Sequence, residues 1–259
     1  TVYDAEELGG DEIWTIYSDG KNILWASALG GGVNKVVKRK VAFRHDVLSA
    51  GTAGNGIITA LYEDESSMVW VGARSDILLL WDKKTGKQYS YKELEVLKDI
   101  SREGNAVQAI IKHRRTGSIW LGTRYDGVYV VECDEAKPVS LMRLRDEYPS
   151  LRNINALSQD TVGRVWIATE QGLFIGNTVN SRKFLVQPVE ILNDTINHEC
   201  VQTLLCDKKG IWIGTKNYGA FHLSVDGELT GYNLANGKLN YDNVLCFYQD
   251  SNGQLWIGT

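Results

Sequence analysis

The sequence contains little proline, little cysteine and no long apolar run. Only 3 of its 259 residues are proline, whereas 26 are glycine and 8 are tryptophan. No apolar stretch approaches the roughly 18 residues that predict a transmembrane helix, and no signal-peptide pattern opens the chain. Because Thr1 is not a start methionine, we expect a segment of a longer protein. Little proline with much glycine and many aromatic residues favours short strands joined by tight turns.

Positive charge is not in excess either. The formal net charge is -4 at pH 7 and the isoelectric point is near 5.6. Nucleic-acid binding needs a basic surface that neutralises phosphates, so no nucleic acid is expected as a partner. The basic runs at residues 35–40 and 112–115 are interpreted as solvated turns or outer strands.

The four cysteines, Cys133, Cys200, Cys206 and Cys246, form no C-x-x-C pair. A zinc ribbon or a thioredoxin-like site is therefore not expected. Cys206 and Cys246 fall in predicted strands, where a thiol packs as a small apolar group, and the sequence leaves any disulfide pairing open. We predict no metal, no cofactor and no catalytic residue.

A repeat of about 45 residues dominates the chain. Six tryptophans are spaced by 45, 50, 46, 46 and 44 residues, which is the length of one four-stranded blade of a β-propeller. These are Trp25, Trp70, Trp120, Trp166, Trp212 and Trp256. In the W-I-G-T form of the motif, the tryptophan and the glycine share one face of the strand. A large ring beside a missing side chain lets the next blade approach closely.

A turn precedes each tryptophan. An aspartate lies six residues before the ring at Asp19, Asp64, Asp160 and Asp250, Asp207 lies five before it, and Arg114 occupies this position in the third repeat. An aspartate there can accept backbone N–H bonds in an Asx-turn. The glycine or asparagine that follows supplies a positive φ, and Ser67 departs from this pattern in the second repeat.

These features predict an all-β fold, a β-propeller of four-stranded antiparallel blades with six repeats visible, as a segment of a six- or seven-bladed ring. We expect one domain over residues 1–259, with residues 1–12 as an outer strand of the closing or preceding blade. Repeats begin near residues 13, 57, 107, 154, 201 and 244, and the last blade is incomplete. The predicted first strands cover 13–17, 57–62, 107–111, 154–157, 201–206 and 244–248, and predicted fourth strands cover 88–91, 139–143, 186–191 and 229–232.

The motif D-x-x-G-x-[LIV]-W-[IVL]-G-T resembles the two-component regulator propeller repeat. Residues 160–169, 207–215 and 250–259 match it best. The resemblance implies the extracytoplasmic sensor region of a hybrid two-component system, located in the periplasm and recognising a glycan-derived ligand. It also implies a histidine kinase elsewhere in the longer polypeptide, with downstream signalling domains as partners and a homodimer formed through regions outside this segment.

Loops after the tryptophan strands and loops before the first strands are expected at one face of a propeller. Their aromatic rings can stack on a ligand and their polar groups can orient it. The predicted ligand-binding residues are Arg74, Arg124, Tyr125, Asp126, Glu170, Gln171, Lys216, Asn217, Tyr218 and His198. Asn105, Asn153, Glu199, Asp242 and Asn243 precede first strands and are expected on the same face.

Two other functions stay open. One is a secreted polysaccharide-active enzyme, a lyase or a glycosidase, which a unique carboxylate cluster would indicate. The other is a scaffold that binds proteins, which an exposed apolar patch would indicate. His198, Glu199 and Cys200 could supply a base or a metal ligand, but adjacent residues on an extended chain alternate faces. The aspartates recur in several repeats, as turn-forming residues do, whereas a catalytic residue is expected once.

Overall fold

The structure is a computed structural model and describes residues 13–18, 23–28, 32–37, 44–46, 57–74, 78–100, 105–134, 137–180, 183–190 and 198–259. Its strands form five four-stranded antiparallel sheets and one two-stranded sheet, each made of strands that follow one another in sequence. These sheets are named blades 1 to 6 in chain order. The predicted fold class, a β-propeller of four-stranded antiparallel blades, is confirmed, with five complete blades and a two-stranded sixth among the described residues.

The strand bounds are as follows. Blade 1 contains β1 (Ile13–Ser18), β2 (Ile23–Ala28), β3 (Gly32–Val37) and β4 (Arg44–Asp46). Blade 2 contains β5 (Ile58–Glu63), β6 (Met68–Ala73), β7 (Leu78–Asp82) and β8 (Gln88–Ser90). Blade 3 contains β9 (Val107–Lys112), β10 (Ile119–Thr123), β11 (Gly127–Asp134) and β12 (Lys137–Arg143). Blade 4 contains β13 (Ile154–Gln159), β14 (Val165–Thr169), β15 (Gly172–Asn180) and β16 (Lys183–Pro188). Blade 5 contains β17 (Val201–Cys206), β18 (Gly210–Thr215), β19 (Ala220–Ser224) and β20 (Leu229–Tyr232), and blade 6 contains β21 (Cys246–Gln249) and β22 (Leu255–Gly258). Short 3-10 helices cover Tyr91–Glu93, Glu95–Ile100 and Leu144–Asp146.

The first strands agree with prediction to within two residues at each end. Two predicted fourth strands need correction. In blade 4 the strand is Lys183–Pro188, where 186–191 was predicted, because the pairing with β15 already begins at Lys183 and Asn180. In blade 2 the strand ends at Ser90, whose hydroxyl caps the 3-10 helix that begins at Tyr91. The outer strand predicted within residues 1–12 lies outside the described residues.

The chain divides into two compact units, residues 1–110 with 133–141 and residues 111–132 with 142–259. The core of the first unit includes Trp70, Leu78, Leu97 and Ile100, all fully buried. In the second unit a cluster of buried residues from blades 4 and 5 includes Ala168, Val201 and Ile213. A single domain over residues 1–259 stays a prediction. The described residues form no helix that is long and apolar enough to cross a membrane.

Four of the six repeat tryptophans are buried: Trp25, Trp70, Trp120 and Trp166. Trp212 is half-buried, and the expectation is wrong for Trp256, which is 60% exposed. The rings face the blade that follows. The Trp120 ring packs edge-on against Phe184 of blade 4 at 4.8 Å, and the Trp212 ring lies 6.3 Å from Phe247 of blade 6.

The glycine two residues after the tryptophan permits this close packing. A Cβ added at Gly72 would collide with the carbonyl oxygen of Val107, which begins the next blade. A Cβ at Gly214 would lie 2.8 Å from Cγ1 of Val244. The predicted role of this glycine is therefore confirmed at both positions.

Candidate functional site

Neighbouring first strands run parallel in the second unit. The amide Nδ2 of Asn155 donates to the carbonyl of Val201 at 2.8 Å, and the backbone N–H of Cys206 donates to the hydroxyl of Ser158 at 3.0 Å. Loops of the same kind therefore collect at one end of blades 3 to 5. This end is named the rim and consists of residues 124–126, 170–171 and 216–218, with Asn153, residues 198–200 and residues 242–243. Strand-reversing turns occupy the opposite end.

Buried threonines hold the rim loops. The hydroxyls of Thr123, Thr169 and Thr215 donate to the carbonyls of Gly127, Gly172 and Gly219 at 2.8–2.9 Å. Each hydroxyl oxygen also accepts a backbone N–H from within the loop, from Asp126, Gln171 and Tyr218 respectively, at 3.0–3.1 Å. The threonine of the W-I-G-T motif thus fixes the loop that carries the predicted ligand-binding side chains. This role of the threonine was not predicted from the sequence, although its recurrence at one place in the motif was the available signal.

Polar side chains tie these loops to the segments that lead into the first strands. In blade 4, Asn153 Nδ2 donates to Glu170 Oε2 at 2.7 Å. In blade 5 the loop carries the amide and the segment before the first strand carries the carboxylate, and Asn217 Nδ2 donates to Glu199 Oε1 at 2.6 Å. The backbone N–H of Lys216 donates to the carbonyl of Cys200 at 3.0 Å. The predicted proximity of the two sets of loops is correct at these positions.

Asp126 is fixed inside the rim of blade 3. Its carboxylate accepts a charge-assisted hydrogen bond from Arg145 at 3.2 Å, and only 3% of its side chain is exposed. Arg145 also donates to the carbonyl of Tyr125 at 3.0 Å. Asp126 and Arg145 therefore hold the loop in place, and a direct ligand contact by Asp126 stays a prediction. Arg145 was not identified in the sequence because its loop has no motif.

The remaining rim side chains are more accessible. Tyr125 and Tyr218 are 42% and 40% exposed, and the Arg124 guanidinium lies 5.3 Å from the Tyr125 ring. The residues exposed with them are Glu170, Gln171, Lys216, Asn217 and His198. In the first unit, Arg74 occupies the equivalent position after β6, with its guanidinium 5.7 Å from the Trp14 ring. Two other residues that were expected at this face are less available to a ligand. Asn105 is fully buried, and Asn243 accepts a hydrogen bond from Gln202.

His198, Glu199 and Cys200 do not form a reactive trio. Burial raises the pKa of the Cys200 thiol, and the Glu170 carboxylate adds to this effect, so the thiolate that would act as nucleophile is disfavoured. The carboxylate of Glu199 is engaged by Asn217. None of the four cysteines, all of which lie among the described residues, forms a disulfide. Among the described residues, no three His, Cys, Asp or Glu side chains are grouped to hold a metal ion.

The turns at the opposite end confirm the predicted Asx geometry. Oδ1 of Asp64, Asp160, Asp207 and Asp250 each accepts two backbone N–H bonds from the following residues. The third repeat needs correction: His113 is the residue that anchors the turn, where Arg114 was assigned to the aspartate position. The His113 carbonyl accepts from Gly117, and its Nδ1 accepts from the backbone N–H of Thr116 at 3.2 Å. This turn is one residue longer than that of Asp160, which displaces the anchor.

The sequence profile of the two component regulator propeller family matches residues 238–259. These residues contain the sixth tryptophan motif, so the resemblance to this repeat is confirmed there. No curated protein matches the chain.

Several solved structures are similar to this chain. One is the extracellular domain of BT4673 from B. thetaiotaomicron, described as a hybrid two component system, with 20% identity over 99% of this chain and 34% of that one and a TM-score of 0.54. PorZ, a surface component of the type-IX secretion system of Porphyromonas gingivalis, has 18% identity over 98% and 39%, with a TM-score of 0.71. Virginiamycin B lyase from Staphylococcus aureus has 13% identity over 95% and 76%, with a TM-score of 0.65. At these identities the likeness shows the fold alone. The chain spans about a third of BT4673.

Proposed function

We propose that this propeller is the ligand-binding part of an extracytoplasmic sensor protein and that its ligand is a saccharide. The observation that carries the proposal is the rim of blades 3 to 5. There, half-exposed tyrosine rings and polar side chains stand on loops that buried threonines hold to the strands. Fixed loops lower the entropy that a site loses when it binds.

The chemistry of the rim suits a saccharide. Tyr125 and Tyr218 offer rings on which the apolar face of a sugar can stack, and their hydroxyls can bond to it. Carboxylates and amides such as Glu170 and Asn217 can accept and donate hydrogen bonds to sugar hydroxyls. The half-buried Cys200 thiol has a raised pKa, which makes it a poor nucleophile for a covalent step.

The comparisons support a sensor role. The matched family is named for two component regulators, and BT4673 is described as a hybrid two component system whose extracellular domain was solved. By this analogy the longer polypeptide holds a histidine kinase and other signalling domains, with the propeller in the periplasm and a homodimer formed through regions outside this segment. Binding changes signalling only if the saccharide favours one arrangement of that assembly over another.

A saccharide array with this chain tests the proposal, followed by calorimetry on each oligosaccharide that binds. A ligand at about 100 times its Kd stabilises the folded state by about 2.7 kcal/mol, which thermal unfolding detects. Tyr218→Ala should weaken binding, whereas Val162→Ala, in the turn at the opposite end, should not. Absence of binding to every saccharide would reject the saccharide ligand. Chromatography that finds cleaved products would instead favour the lyase or glycosidase.

A further inference from the structure

The rim loops differ in length. Three residues separate Thr123 from Gly127 in blade 3, and three separate Thr215 from Gly219 in blade 5. Only two residues, Glu170 and Gln171, separate the equivalent Thr169 and Gly172 in blade 4. In all three loops the threonine hydroxyl donates to the carbonyl of the glycine, so the loops are compared between equivalent positions. Blade 4 therefore has the shortest loop of the three.

Blade 4 lies between its two neighbours in the second unit. On the blade 5 side, Asn155 donates to Val201. On the blade 3 side, the backbone N–H of Arg114 donates to Gln159 Oε1 at 2.9 Å, and the His113 ring nitrogen Nε2 lies 3.0 Å from the Gly163 carbonyl. The short loop of blade 4 thus has the longer loops of blades 3 and 5 on its two sides.

Each of the longer loops carries a tyrosine, and the short loop carries none. Tyr125 is the second residue of its loop and Tyr218 is the third, and both rings are about two-fifths exposed. The short loop offers a carboxylate and an amide instead. Asn153 holds the Glu170 carboxylate through Oε2, which orients the group without using all of its acceptor sites.

We infer that the saccharide lies across blade 4, between the loops that carry Tyr125 and Tyr218, above Glu170 and Gln171. This inference rests on the proposed function and adds the position of the ligand. The two tyrosines contact the sugars from either side, and the Glu170–Asn153 pair binds hydroxyls from below. The length of the blade 4 loop then determines specificity, because one more residue there fills the space that the sugar occupies.

Arg145 is a positioning residue for this cleft. Its guanidinium holds both the Tyr125 carbonyl and the Asp126 carboxylate, and so it fixes the blade 3 wall without contacting the sugar. Both hydrogen bonds are donated by the same nitrogen, Nη1, so Arg145→Ala removes both at once. Hydrogen exchange at the amides of residues 124–126 should accelerate in this variant, which gives a readout that needs no ligand.

The test uses immobilised neutral and uronate-containing oligosaccharides as probes. One glycine inserted between Glu170 and Gln171 lengthens the blade 4 loop to match its neighbours, and binding should fall by about tenfold or more. The matched control inserts one glycine between Lys208 and Lys209, in a turn at the opposite end, and should leave binding unchanged. Tyr125→Ala and Tyr218→Ala should each weaken binding by about tenfold, and the phenylalanine variants should retain most of it. Circular dichroism checks that each variant folds.

The outcomes separate the inference from the proposed function. Binding that survives the blade 4 insertion, or that depends on neither tyrosine, would place the saccharide elsewhere and overturn the cleft while leaving the sensor proposal intact. Failure of the wild-type chain to bind any saccharide would reject the saccharide proposal and the cleft with it. If the insertion variant does not fold, the two alanine variants decide.

Discussion

The indole N–H of Trp166 donates a hydrogen bond to Oδ2 of Asp160, 3.1 Å away and six residues earlier. The other carboxylate oxygen of Asp160 accepts the turn N–H groups of Val162 and Arg164. One carboxylate therefore joins the turn to the ring that packs between blades. Although burial opposes its ionisation, hydrogen bonds from Arg164 and Trp166 lower the pKa of Asp160. The spacing of six residues between Asp160 and Trp166 allows the carboxylate to bond both to the turn N–H groups and to the indole N–H.

We expect Asp160→Ala to lower the free energy of unfolding by about 3 kcal/mol. The substitution leaves the buried indole N–H and two turn N–H groups without their acceptor, and unpaired buried donors are costly. Urea denaturation followed by tryptophan fluorescence measures the change. Asp160→Asn should cost less, because the amide oxygen can still accept.

Asp250→Ala is the matched control. Asp250 accepts the corresponding two turn N–H bonds and a bond from the Trp256 indole at 3.2 Å. It differs in that Gln254 stands where the exposed Arg164 guanidinium also bonds to Asp160, and in that Trp256 is 60% exposed. Water can replace the lost acceptor there, so the loss should be clearly smaller than for Asp160→Ala. Equal losses at the two positions would contradict the argument that burial sets the cost.

His113 should make stability depend on pH. Its Nδ1 accepts the Thr116 backbone N–H, so the proton of the neutral ring lies on Nε2 and is donated to the Gly163 carbonyl at 3.0 Å. Burial lowers the pKa of His113; the bond to Gly163 opposes this, and the Arg115 guanidinium adds to it. A second proton on Nδ1 would face the Thr116 N–H and break the bond that closes this turn of blade 3, whereas Nε2 could still donate to the Gly163 carbonyl.

The unfolded chain therefore binds this proton more readily than the folded one. The stabilisation is fully present above about pH 6.5, the ordinary histidine pKa, and is lost as the pH falls through the lowered pKa of the folded state. His113→Asn should lose about 2 kcal/mol at pH 8 and show a flatter pH profile between pH 8 and 5. Chemical denaturation across this range measures both, and parallel profiles for variant and wild type would exclude His113 as the source.

The repeat made most of the fold predictable from the sequence. Tryptophan spacing located every blade, and the turn aspartates were assigned correctly in the four repeats where their contacts are described. The prediction was wrong in the third repeat, where His113 takes the role of the turn aspartate. Its ring nitrogen accepts the turn N–H that a carboxylate accepts elsewhere, and the extra residue in this turn places it one position earlier. The burial of a repeat tryptophan depends on the blade that packs against it, as Phe184 does at Trp120, and the motif around the ring does not specify that contact.

The candidate site was only partly predictable. Loop positions follow from strand order, so the rim residues could be named in advance. The buried pairing of Asp126 with Arg145 could not, because the two residues are 19 positions apart and the distance between them is set by the packing of residues 144–146. The loop lengths could be counted in the sequence. They could be compared only once the hydrogen bonds of Thr123, Thr169 and Thr215 showed which loop residues are equivalent.

Gly72→Ala should destabilise the first unit severely, by more than about 2 kcal/mol. The added methyl group would meet the Val107 carbonyl oxygen, and the backbone cannot move aside without separating two blades. Gly176→Ala is the control, since its nearest neighbour, the Val165 carbonyl oxygen, would be 3.6 Å away. The control should change the thermal midpoint little. A tolerated Gly72→Ala would show that the blades are less tightly packed than their contacts indicate.

Ser67→Gly should stabilise the protein by about 0.5 kcal/mol. Ser67 adopts a φ of 71° in the turn before Trp70, whereas the equivalent turn of blade 3 places Gly117 at a φ of 74°. A left-handed conformation strains a residue that has a Cβ by about 1–2 kcal/mol, and the extra freedom of glycine in the unfolded chain offsets part of the gain. The reciprocal Gly117→Ser should destabilise by about 1 kcal/mol, although a Cβ there has open space around it. Urea denaturation of the two variants measures both changes, and opposite signs would identify backbone strain as their cause. If Ser67→Gly destabilised instead, the serine would have to make a favourable contact that outweighs its strained backbone.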